Sequence, residues 1–182
     1  MLTRILVAID RSAVSRQVFD QALSLAKAAS AELILLHVLS PEESGSPMMS
    51  AYFVHPKDRC LHVAPQIMHR ANEVSAREWE DFKQKGLELL RFYTKKAIAS
   101  GVKTEFSQIT GHPSSTICEF AQSCYAELVV VGRRGHSGLT EMLLGSVSNY
   151  VIHHAPCSVL LVQNLSQEQL ASIESYSSAA CS

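Results

Sequence analysis

Short apolar runs alternate with helical periodicities along this chain. Residues 4–9 (RILVAI) run unbroken into Asp10, residues 32–38 (ELILLHV) form a second run, and residues 128–131 (LVVV) a third that ends at Gly132. Runs of this length suit strands buried on both faces, as in a parallel sheet covered by helices. Residues 104–109 alternate weakly as a further strand, and residues 157–162 close the pattern. Between the strands, Val18, Ala22, Leu25, Ala26 and Ala29 recur at helical spacing, with Ser12 or Ser15 placed to cap the segment. Trp79, Phe82, Gly86, Leu89, Tyr93 and Ala97 predict one long helix over 72–100 with a weak spot at Gly86. Pro113 opens a third helix that buries Ile117, Phe120 and Ala121. A fourth, over about 140–154, is expected to bury Leu143, Val147, Tyr150 and Val151, and Ala155-Pro156 stops it. His153 and His154 lie where its terminal carbonyls need donors.

Strands alternating with helices five times over mean an α/β fold: a three-layer, doubly wound, five-stranded parallel sheet of Rossmann-like type. At 182 residues the chain fits one domain over 1–163, with a long excursion over about 40–70 and a flexible tail over 164–182. The excursion holds Pro41, Gly45, Pro47, Pro56 and Pro65, reading as surface loop up to about Pro65 with room for a short helical piece. Within it Met48, Met49, Tyr52, Phe53 and Val54 could contact a partner or fold back onto the domain. His55, His62 and His69 are seven apart, about 10 Å on a helix, too far for neighbours to share a metal ion.

Composition narrows the function. Apolar residues make up 47% and charged residues 18%, the balance of a folded chain and not of a disordered one. A formal charge of −1 gives no general attraction to nucleic acid, and the one dense basic pair is Arg133-Arg134. No stretch approaches the about 18 apolar residues of a membrane span, and the first residues enter a strand without a secretory layout, so a cytoplasmic protein is expected. Cys60, Cys118, Cys124, Cys157 and Cys181 lack CxxC spacing and read as incidental thiols.

In doubly wound sheets ligands sit outside the carboxyl ends of the strands, where connections diverge to opposite faces. That directs attention to Asp10, Val38 and the stretch after residue 131. Gly132, Gly135 and, nine residues later, Gly145-Ser146 leave a buried strand and enter a helix. Glycines there allow turns of positive φ and close backbone approach to an anion, the helix N-terminus adds unpaired donors, and Arg133 or Arg134 adds charge. The spacing fits neither GxxxxGK[ST] nor GxGxxG. Asp10, His136 and Ser146 form no recognisable nucleophile–base set, so a dedicated catalyst is not supported.

Gly132-x2-Gly135-x9-Gly145-Ser146 resembles the nucleotide-binding signature of the universal stress protein family. The likeness extends to residues 5–10, to Leu35-Leu36-His37-Val38, to Gly111-His112-Pro113 and to residues 156–162. The resemblance implies five parallel strands ordered 3-2-1-4-5 and a site for ATP, or for ADP, AMP or a cyclic nucleotide; with ATP, Mg²⁺ is an option, since it binds through phosphates and waters with few protein ligands. By the same resemblance Asp10 would serve the ribose or adenine side, and Val38 the adenine ring. Gly132, Arg133, Gly135, Gly145, Ser146 and Val147 would surround ribose and phosphates. It also implies a homodimer through the strand at 157–162 and a stress-response or signalling role with an unidentified protein partner. A slow ATPase, an adenylyl-transferring enzyme and a nucleotide-free dimeric scaffold remain the alternatives on this fold.

Overall fold

The computed structural model describes residues 2–41, 43, 45–47, 65–133 and 145–163, with side chains on the long second helix described from residue 76 onward. The elements are β1 (Arg4–Ala8), α1 (Ser15–Ala29), β2 (Glu32–Leu39), α2 (Pro65–Ala99), β3 (Thr104–Thr110), α3 (Pro113–Ser123), β4 (Leu128–Gly132), α4 (Ser146–His154) and β5 (Ser158–Val162). The strands form one sheet in the order β3-β2-β1-β4-β5, every pairing parallel. This is the expected architecture.

Strand alternation divides the core into two halves. Ile5, Val7, Leu33, Leu35, Val130 and Val162 face α1 and α2, meeting Phe19, Ala22, Leu90 and Tyr93. Leu6, Leu36, Val38, Val129 and Val131 face α3 and α4, meeting Ile117, Ala121 and Val151. The central strands are apolar on both sides because both sides are covered. β3, an edge strand, is mostly half-buried or exposed, which explains its weak pattern. The helix after β1 lies on one face and the helix after β4 on the other, so the chain diverges between these adjacent strands.

Three expectations are corrected. The long helix begins at Pro65, not at about residue 72, because a proline in the first helical turn costs no hydrogen bond. Tyr150 is not part of the buried face of α4: it is 38% exposed and stacks on His154 with ring centroids 4.0 Å apart. The His154 Nδ1 donates to the Tyr150 carbonyl at 2.9 Å, as a histidine near a helix C-terminus should. Finally, the N-cap of α1 is Val14, without a side-chain capping bond. Ser15 is already helical, and its hydroxyl is committed elsewhere.

Candidate functional site

That commitment is to Asp10. Its Oδ1 accepts from the Ser12 N–H at 2.9 Å, from the Ser12 hydroxyl, and from the Ser15 hydroxyl at 2.7 Å. In return the Asp10 N–H donates to Ser15 Oγ at 3.0 Å. A short acidic side chain folding back onto the next turn is a common way to order such a corner. The ladder reaches the corner through Ile9, whose N–H donates to the Leu36 carbonyl at 2.8 Å.

Beside it, β2 ends at Val38 and Leu39, and the chain turns through Ser40, Glu43 and Ser46. The Glu43 N–H donates to the Ser40 carbonyl at 3.1 Å, and the Ser46 N–H to the Glu43 carbonyl at 3.0 Å. The turn delivers Glu43, 4% exposed, to the fully buried His37: Nε2 lies 3.1 Å from both carboxylate oxygens. Glu43 Oε1 also accepts the Arg11 N–H at 3.2 Å, tying the loops after β1 and β2 together. On the other side of the imidazole, Gln108 Nε2 lies 3.0 Å from Nδ1 and 3.0 Å from the Lys83 carbonyl. Both neighbours need donors from that amide, so Nδ1 accepts and the imidazole proton sits on Nε2, facing Glu43. The expected weak spot at Gly86 is the space that admits His37 and Gln108. A Cβ there would lie 2.5 Å from the imidazole and 2.3 Å from the amide.

Across the sheet, Gly132 is the last residue of β4, paired with Val162. Glycine allows a positive φ in this stretch, but among the described glycines it occurs at Gly45 and Gly101 only. Gly132 stays extended in the ladder, and its missing side chain makes room for Val14 and Val18, each 3.0 Å from where a Cβ would stand. The Arg133 N–H donates to the Val162 carbonyl at 2.7 Å, and its guanidinium to Gln163 Oε1 at 3.0 Å. Gly135, with Arg134 and His136, lies outside the described residues. The chain is described again at Gly145, the N-cap of α4, with φ −57°. Among the described residues no side chain caps this terminus, and no acid stands in its first turn. The first N–H groups of the helix therefore keep their partial positive charge.

These three strand ends enclose a cavity of about 370 Å³, within the range of small-ligand sites. Six sequence-selected residues line it: Asp10, Val38, Gly132, Gly145, Ser146 and Val147. Arg133 is not among them. Ala8, Leu36, Ile117 and Val131 add an apolar wall, whereas Ser12, Ser15 and Ser146 add hydroxyls. Among the described lining residues, Glu43 is the charged one that the sequence did not single out. The cavity thus has an apolar compartment, two carboxylates on the β1–β2 side and uncapped amide donors at α4.

Other reactive groups stand apart from this wall. Cys118, Cys124 and Cys157 are free thiols, and burial pushes each of them up from the ordinary thiol range, leaving them poor nucleophiles. Cys60 and Cys181 lie outside the described residues, as do His55 and His62. Among the described residues, no three metal-binding side chains converge, and no helix is long and apolar enough to cross a membrane.

Residues 1–163 match the universal stress protein family as a whole. The chain is 32% identical over 161 residues to universal stress protein Sll1388 of Synechocystis sp., covering 88% of this chain and 97% of that one. A universal stress protein solved in complex with cAMP superposes with a TM-score of 0.56 at 24% identity, covering 89% of this chain and 97% of the other. A family member from Arabidopsis thaliana with AMP bound superposes with a TM-score of 0.55 at 22% identity, covering 91% and 94%.

Proposed function

Because this chain belongs to the universal stress protein family, we propose that its cavity binds an adenine nucleotide, ATP foremost, and that the protein is a cytoplasmic stress-response or signalling module. The observation that carries the reading is a cavity of about 370 Å³ joining an apolar compartment to the uncapped N-terminus of α4. The base would stack against Val38, the ribose hydroxyls would donate to Asp10, and the phosphates would meet Gly132, Gly145, Ser146 and Val147. Gly135 and Arg133 would complete the phosphate shell. The donor set fits an anion at α4, where three backbone N–H groups lack intrahelical acceptors. Mg²⁺ would be held through phosphates and water, which demands few protein ligands. Two family members solved with cAMP and AMP support the adenine class. Bound nucleotide would alter a surface that a protein partner reads.

The test begins with freshly purified protein, denatured and chromatographed for its nucleotide content, then titrated with ATP, ADP, AMP and cyclic nucleotides. Adenine nucleotide that stays unhydrolysed over hours supports the module and names its ligand. Rapid turnover would make the protein an ATPase or adenylyl-transferring enzyme. Absence of binding would leave a dimeric scaffold.

A further inference from the structure

We infer that Glu43 is a specificity-determining residue that selects a 6-amino purine over a 6-oxo purine; this rests on the nucleotide reading above. Glu43 is 4% exposed yet lines the cavity. A carboxylate offers about four acceptor positions. Among the described residues two N–H donors reach it: Arg11 N–H on Oε1, and His37 Nε2 shared between both oxygens. Oε2 therefore has spare acceptor capacity in a buried place, where an unused lone pair on a charged group is costly.

Its position fixes what could use that capacity. In the sheet order, β2 and β4 flank β1, so Glu43 and the anion-attracting N-terminus of α4 stand at opposite sides of the cavity. A phosphate is drawn to α4 and repelled by Glu43. The other end of the ligand therefore meets the carboxylate, and it must bring a donor. The exocyclic amine of adenine does so; the 6-oxo group of hypoxanthine or guanine presents lone pairs to a negative charge. The carboxylate is held in place by the Arg11 N–H and by His37, which Gln108 anchors in turn.

Isothermal titration with ATP, ITP and GTP tests this. Wild-type protein should prefer ATP to ITP by about tenfold or more, the size of one charge-assisted hydrogen bond. Glu43→Gln keeps an acceptor for His37 and Arg11 and gains a donor for the 6-oxo group, so the ATP-to-ITP ratio should collapse to within about threefold of unity. Glu43→Asp, a second variant that retains the charge but withdraws it, should weaken ATP while still preferring it. An equal affinity of wild type for ATP and ITP, or a Gln variant that weakens both alike, would overturn the role of Glu43 and leave the nucleotide site standing. A wild type that binds no nucleotide would overturn both.

Discussion

At Gly86 the absence of one carbon decides a sign. Helix propensity alone favours alanine over glycine in mid-helix by about 1 kcal/mol. Here the added Cβ would meet His37 at 2.5 Å and Gln108 at 2.3 Å. The glutamine tip could move, but the imidazole is fully buried and bonded on both sides. Gly86→Ala should therefore destabilise the fold by about 1–3 kcal/mol, the usual effect of overpacking, read from the midpoint of chemical denaturation; a stabilised variant would refute the packing account. At this scale legibility in the sequence was uneven. Asp10, Val38 and Gly132 were readable because a rule about strand ends selects residues by position, whatever their neighbours. Glu43 was not, since an acid within a Pro-, Gly- and Ser-rich stretch reads as solvated. Only the tertiary fold brings it to His37. The role of Gly86 was hidden likewise, as a glycine in a helical pattern signals a weakness until the neighbour it admits is known.

Among the elements, the strands were legible from hydrophobic runs because the sheet is covered on both faces, whereas boundaries set by single residues, such as Pro65 or Tyr150, were not. The opposite end of the sheet from the cavity, where the strands begin, shows what charged side chains contribute to element order. Glu32 on β2 accepts from Lys103 Nζ, just before β3, at 2.7 Å and from Arg4 Nε on β1 at 2.5 Å. The Lys103 hydrogen bond, then that of Arg4, hold the Glu32 carboxyl below its ordinary range. Both cations are correspondingly raised by this shared acceptor. A depressed carboxylate contributes stability that is present above its unfolded-state pKa and lost as pH falls through its lower folded-state value. Glu32→Gln should thus lower the melting temperature only slightly at neutral pH, because solvent screens these exposed cations. The gap from wild type should close on acidification into the carboxylate range. A gap that persists unchanged at the acid end would assign the loss to packing, not charge.

For the whole molecule, the two sheet edges differ in kind. β3 exposes Glu105 and Phe106 among polar neighbours, whereas β5 presents Val159, Leu160 and Leu161, each only partly covered by the chain itself. β5 pairs with β4 on one side, and among the described residues no strand pairs with its other side; an apolar edge strand of this kind invites pairing with another chain. Two copies meeting there about a two-fold axis would close the contact on itself and stop at a dimer, whereas head-to-tail addition would continue into a filament. The protein should sediment at twice the mass of one chain at micromolar concentration. Leu161→Lys should shift it to one chain mass, because two-fold symmetry brings the new charges near each other in the seam. A monomeric wild type would sink the pairing. Among the described residues none of β5 lines the cavity, so a monomeric Leu161→Lys protein should retain nucleotide affinity within about threefold. Loss of binding on dissociation would mean that the partner chain shapes the site.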